Sequence, residues 1–326
     1  MSDVSKTQSV LAPDEAKLRV IAQASVVDQK LMLARSRVKR MALGLRRQFL
    51  PYFFARPPKW RVKMRARSNQ ARLVPEFVSM GAVRSGTTTL ADYILQHPCV
   101  LLPLAKELPY RTHKRLLTAQ FPSVQDSRKV EKKYGKAMTG FFTPVVPSLT
   151  FPYFFSALTT KAKVLLLLRN PVERTFAHWR WDQALSGGLK NDPIWSNFPD
   201  FADLMKVEIN AAQSGAGCGM SFSGTGVGGY IQHSIYQPFL ETVFEFFDRD
   251  QTMFIASKDY FADPVGVAKK IYDFLELPPY EPKVTKVRNA GPRMTMDPET
   301  RARLAAFFEP LNQKLYEFIG QDFGWK

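Results

Sequence analysis

The sequence predicts an α/β fold of three layers, with helices on both faces of a central parallel sheet, and three observations carry that expectation. Val164 to Leu168 is an unbroken apolar run, the pattern of a strand buried on both faces. The run "EFVSM" before Gly81 and the run "TMFIAS" at 252–257 read as two further strands. Each of these two is followed by a helical pattern, and strands alternating with helices indicate a layered α/β domain.

Residues 1–28 are polar and loosely patterned. In "QKLMLARSRVKRMALGLRR", Leu31, Val38, Met41 and Leu45 fall at roughly helical spacing among basic residues, which reads as a basic amphipathic helix. The basic and aromatic character continues to Arg67, with Pro57 and Pro58 expected to break any helix. Two readings stand for residues 29–67: a surface for anionic membrane lipid or another acidic partner, or a solvated helix packing its apolar stripe on the domain. The expected organisation is an extension over 1–73 and a main domain over 74–326.

After the first strand, "GAVRSGTTTL" has Gly81 and Gly86 at the spacing of a Walker phosphate loop and Thr88 in place. The lysine position holds Thr87, and the loop's basic residue, Arg84, lies three positions early. Leu90, Tyr93, Ile94 and His97 then mark a helix that stops at Pro98. Strand, glycine loop and helix supply the context of a phosphate cradle. The amides of Ser85, Gly86, Thr87 and Thr88 can wrap an anion at the helix N-terminus, and Arg84 offers a planar fork of donors. The second strand ends in Arg169 instead of the acidic magnesium ligand of an NTPase, which suggests a second anion site. Such a pair suits a nucleotide with phosphates at both ends better than a magnesium-bound triphosphate. A nucleotide kinase or NTPase is therefore the runner-up reading.

The net charge is +17, but residues 1–72 hold 17 Lys/Arg and 4 Asp/Glu, a net +13. The domain is thus only mildly basic and no nucleic-acid partner is expected, although a non-catalytic binding protein driven by the basic N-terminal region is the alternative from another class. Cys99 and Cys218 form neither a disulfide framework nor a metal site. No signal peptide is evident, and no run of about 18 apolar residues suggests a membrane span. The expectation is a cytoplasmic protein able to sit peripherally on a membrane. The segment 215–229 carries seven glycines and reads as a flexible loop.

"GAVRSGTTTL" resembles the 5′-phosphosulfate loop of the sulfotransferases that use 3′-phosphoadenosine 5′-phosphosulfate (PAPS), and "LLRNPVERTFAHW" resembles their 3′-phosphate motif. The resemblance runs from Val74 to Trp325 and is closest to the carbohydrate branch, including heparan sulfate sulfotransferases and their bacterial relatives. It implies a P-loop-like 5′-phosphosulfate-binding loop, PAPS as co-substrate, no metal, and a hydroxyl acceptor of carbohydrate type. Arg84, Ser85, Gly86, Thr87 and Thr88 would hold the 5′ end, Arg169 the 3′-phosphate, and Arg288, Gly291 and Arg293 the loop that closes over the nucleotide. Glu107 matches the branch's catalytic base, with Lys106 and Arg84 stabilising charge at the transferring group; a plain surface Lys-Glu pair is the bland alternative. Two departures stand out. The serine that completes the 3′-phosphate grip is Ala177, which removes a donor worth roughly 1.5–3 kcal/mol, so either Asn170 or His178 compensates or affinity falls. Phe142 replaces a charged residue before Thr143-Pro144, hinting at a less anionic acceptor. Trp179, Trp181 and Trp195 are core residues or stacking platforms, and His113 and His233 read as structural or surface residues.

Overall fold

The computed structural model describes residues 57–325 except 110–112, 147–154, 157–158, 187–197, 216–228 and 285–293. The expected helix over 29–47, Trp195, Cys218, most of the glycine-rich segment, and Arg288, Gly291 and Arg293 lie outside the described residues. Helices α1 (Lys59–Arg67), α2 (Thr87–Gln96), α3 (Lys114–Thr118), α4 (Val124–Tyr134), α5 (Pro171–Ser186), α6 (Phe201–Gln213), α7 (Gln237–Phe244), α8 (Ser257–Ala262), α9 (Pro264–Phe274) and α10 (Pro298–Ile319) accompany five strands. The strands are β1 (Phe77–Ala82), β2 (Val100–Leu101), β3 (Met138–Val146), β4 (Lys163–Leu168) and β5 (Thr252–Ala256).

The sheet order is β2-β3-β1-β4-β5 and every pairing is parallel. Alternate residues feed two cores, as the two-residue period of a strand demands. Phe77, Leu165, Leu167 and Ile255 pack under α2 and α9 with Leu90, Tyr93, Ile94 and Ile271. Val78, Met80, Val164, Leu166 and Leu168 pack on the other face with Leu117, Phe239, Leu240, Val243 and Leu315 from α3, α7 and α10. Both faces are covered, so β4 needs no polar residue along its run.

The layer order positions the site. From β1 the chain crosses to β2 and β3 on one side, and from β4 it crosses to β5 on the other. The connections leaving the carboxyl ends of β1 and β4 therefore diverge, opening a crevice at the switch point where ligands of open α/β sheets bind. The turn at 83–86 and Arg169 stand at that crevice.

Pro57 and Pro58 precede a helix instead of preventing one, because proline is tolerated where the amide has no intrahelical partner. Val62 of α1 is fully buried. Arg65 donates to the carbonyls of Ala119 (2.7 Å) and Phe121 (2.5 Å), and Leu73 N donates to Pro122 O. Residues 59–73, on the N-terminal side of the expected boundary, are thus hydrogen-bonded to the packed body.

Leu166 is fully buried in the second core. Leu166→Ala is expected to lower unfolding free energy by about 2–5 kcal/mol, measured by urea denaturation. Val207→Ala, 64% exposed on α6, should stay within about 0.5 kcal/mol of wild type.

Candidate active site

The turn between β1 and α2 is built by two glycines for two reasons. A Cβ on Gly81 would lie 2.5 Å from Thr87 Cγ2 and 3.0 Å from Leu167 O, because the first turn of α2 folds back over the strand. Gly86 has φ 98°, and a Cβ there would meet the Phe261 ring at 2.9 Å. Arg84 also takes a positive φ, 71°, a conformation that costs a non-glycine residue free energy. The surrounding contacts hold it there.

Those contacts grip three consecutive carbonyls. Arg174 Nη1 reaches Val83 O at 3.5 Å, Arg169 Nη1 donates to Arg84 O at 2.8 Å, and Ser257 Oγ donates to Ser85 O at 2.8 Å. In a trans peptide the C=O and N–H point in opposite directions, so holding Ser85 O against the end of β5 turns the Gly86 amide the other way. The amides at the start of α2 meet no capping side chain from Gly86, and the helix dipole favours an anion there.

The grip is itself anchored. Tyr236 OH donates to Arg169 O at 2.7 Å. Arg174 is fully buried and donates to Ser234 Oγ (2.6 Å), to Tyr230 O and to His178 Nδ1 (3.1 Å). Burial and the adjacent Arg174 hold His178 well below the usual histidine range, so it serves as a neutral acceptor. Tyr230 OH donates to Asp182 Oδ2 at 2.9 Å, and Ile231 N donates to Glu208 Oε2 at 2.8 Å.

Lys106 is 3% exposed and comes from the segment after β2. Its Nζ stands 3.2 Å from Thr88 Oγ1, 3.4 Å from Thr87 Oγ1 and 3.4 Å from Glu107 Oε1. The ammonium missing from the loop's own sequence thus arrives through space at the N-terminus of α2. Glu107 beside it has its side chain half exposed. The Arg84 guanidinium lies over the Trp181 ring, 4.1 Å from its centroid. Burial, and then the nearby Arg169, lower its pKa to about 10, which leaves it charged at neutral pH. Burial lowers Arg169 as well.

Of the residues expected at the site, the structure brings Lys106, Glu107, Thr87 and Thr88 together, and it ties Arg169 to the loop backbone at Arg84. Gly86 caps α2, and Ser85 is buried with its carbonyl on Ser257. Of the two residues offered as substitutes for the serine lost at Ala177, one uses its acceptor atom in a helix cap and the other is buried. Asn170 Oδ1 caps α5 by accepting from Val172 N and Glu173 N, and His178 is buried against Arg174. Phe142 does not face an acceptor: it is 1% exposed and packs edge-on against Phe77, ring centroids 5.4 Å apart. Its apolar character answers to the core and says nothing of acceptor charge. Trp179 is a core residue beside Phe176, while Trp181 supports Arg84. His233 is buried, and His113 stands exposed before α3. Sequence reasoning missed the roles of Arg174, Ser257 and Tyr236. The available signal for Arg174 was its place as the second arginine of "LLRNPVERTFAHW", and a guanidinium on a buried helix needs partners.

Among the described residues, no group of three or more His, Cys, Asp or Glu could hold a metal ion, and no helix is long and apolar enough to cross a membrane. The site offers cationic and amide donors with one carboxylate at its edge, a set made for an anionic group next to a proton acceptor.

The family model for the sulfotransferase domain matches residues 75–290. The chain belongs to the sulfotransferase domain family. This sulfotransferase is 24% identical to the membrane-associated sulfotransferase kil1 of Dictyostelium discoideum, over 78% of this chain and 67% of that protein. It is 22% identical to heparan sulfate glucosamine 3-O-sulfotransferase 3B1 of Mus musculus, over 78% of this chain and 66% of that protein. It therefore spans about two thirds of the length of each of these relatives. Among solved structures, a sulfotransferase from Alicyclobacillus acidocaldarius superposes with a TM-score of 0.50 at 21% identity, covering 76% of this chain and 97% of that one, a likeness of fold. Family membership implies an enzyme that transfers a sulfuryl group.

Burial raises the pKa of Asp182 in this sulfotransferase to about 6, against the lowering effects of the Tyr230 hydroxyl and of Arg84. Between the ordinary value of 3.8 and about 6, the folded protein keeps a proton that the unfolded chain has released. Stability contributed by this group therefore falls as pH rises through that window. Asp182→Asn keeps an acceptor for Tyr230 and should flatten the decline in Tm between those two values. A variant curve parallel to wild type across the window would contradict this assignment.

Proposed function

We propose that this sulfotransferase uses PAPS and transfers its sulfuryl group to a hydroxyl of a carbohydrate acceptor, with Glu107 as general base. The observation that carries the proposal is the meeting of Lys106 and Glu107 with the hydroxyls of Thr87 and Thr88 at the N-terminus of α2. The donor set fits the nucleotide: an open helix N-terminus and a buried ammonium for the 5′ end, and Arg169, locked to the same loop, for the 3′-phosphate. When bound, PAPS supplies an electrophilic sulfur and a leaving phosphate.

The side chains have separate duties. The amides of Gly86, Thr87 and Thr88 with the two threonine hydroxyls orient the 5′ end, which spares the reaction an entropic cost. Lys106 and Arg84 stabilise negative charge as the bridging bond breaks. Glu107 takes the acceptor's proton, and its half-exposed carboxylate can reach a group arriving from solvent. The resemblance assigns Arg288, Gly291 and Arg293, outside the described residues, to nucleotide contact. The relatives named for heparan sulfate glucosamine support a carbohydrate acceptor, and a relative named as membrane-associated supports work at a membrane surface.

The test is thermal shift with 3′-phosphoadenosine 5′-phosphate (PAP) against ATP plus Mg²⁺. At 100 times its dissociation constant PAP adds about 2.7 kcal/mol, a rise of roughly 5 °C in a domain of this size. Stabilisation by ATP–Mg²⁺ alone would overturn the proposal. Glu107→Gln should keep the PAP shift while sulfuryl transfer drops about 10²–10⁴-fold; retained turnover removes Glu107 from the role of base. Ala177→Ser restores the hydroxyl donor of the 3′-phosphate motif, so PAP should bind roughly tenfold tighter. An unchanged PAP dissociation constant in Ala177→Ser would place the 3′-phosphate elsewhere.

A further inference from the structure

We propose that the outer face of α1 is a docking surface for an anionic lipid bilayer, a site separate from the catalytic crevice and independent of which sulfuryl donor the enzyme uses. At roughly 100° per residue, Lys59, Lys63, Arg67, Trp60 and Met64 fall in one arc of about 140°, with the three cations along one edge and the two apolar side chains along the other. All five are exposed, Trp60 by 56% and Met64 by 58%. The opposite arc holds Val62, fully buried, and Arg65, whose guanidinium grips the carbonyls of Ala119 and Phe121. Arg115 Nε adds a bond to Ala66 O at 2.9 Å. These bonds hold the inner arc of the helix against the packed body, which leaves the other arc exposed.

Charge decides the kind of partner. Among the described residues, no carboxylate is paired with Lys59, Lys63 or Arg67. No acidic residue occurs between Asp28 and Glu76, a stretch with 14 Lys/Arg. Three cations beside an exposed tryptophan and methionine match the boundary of a bilayer, where lysine and arginine meet anionic headgroups and tryptophan sits at headgroup level. A soluble polyanion without an apolar phase would account for the cations and leave Trp60 and Met64 exposed to water.

Vesicle co-sedimentation of the full chain tests this, with phosphatidylcholine alone and phosphatidylcholine mixed with phosphatidylserine. Wild type should partition onto the mixed vesicles and be released by salt. Changing Lys59, Lys63 and Arg67 together to Gln should lower the partition coefficient about a hundredfold, each basic residue contributing roughly fivefold. Trp60→Ser with Met64→Ser should weaken it as well. Wild-type partitioning in both variants would overturn the proposal. So would binding to a soluble polyanion that survives Trp60→Ser/Met64→Ser in a chain that ignores mixed vesicles. The PAP thermal shift reads the crevice separately. If it is retained while partitioning is lost, α1 has been disabled in a folded enzyme; if it is absent in wild type while partitioning holds, only the nucleotide assignment falls.

Discussion

Three consecutive carbonyls in the turn after β1 are each engaged by a side chain from behind, Val83 by Arg174, Arg169 on Arg84, and Ser257 on Ser85, and the geometry of the site hangs on this grip. It keeps Arg84 at a positive φ and presents the amides at the start of α2 to the crevice. A turn of this kind with its carbonyls unheld could rotate them toward the crevice in place of the amides. The three side chains come from the ends of β4 and β5 and from α5, so the cradle exists only when the sheet has assembled around β1.

The central member of the grip is expensive. A fully buried guanidinium loses its hydration, and only good hydrogen-bond geometry offsets that loss. Arg174 meets the requirement by binding Ser234, Tyr230 and His178 at once. Asp182 and Glu208 hold the same 230–231 segment through Tyr230 OH and Ile231 N. The loop, α5 and the segment before α7 are thereby one polar unit in which shifting any member disturbs the others. Arg84 is part of it through Trp181 on α5.

Much of the fold was legible because parallel strands covered on both faces leave continuous apolar runs. β1, β4 and β5 all carry that mark. β3 does not, since Gly140, Thr143 and Pro144 interrupt it, and packing explains the glycine: a Cβ on Gly140 would lie 2.2–2.4 Å from the Phe77 ring. β2 has two residues, too few for any period to register. The same cause misled the reading of Phe142, whose apolar side chain belongs to the core against Phe77 and not to an acceptor face.

Local sequence was enough to set the turn. The spacing of Gly81 and Gly86 and the helix that begins at Thr87 follow from backbone sterics, which act between near neighbours. It also identified Arg169, because a basic residue closing a buried strand must emerge at the strand's carboxyl end. The tertiary structure alone decided that Lys106 fills the place of the missing loop lysine, that Trp181 carries Arg84, and that Arg174 is the buried anchor. Parallel strands are joined by long crossovers, so the groups that meet at their carboxyl ends are far apart along the chain, and only the strand order brings them together.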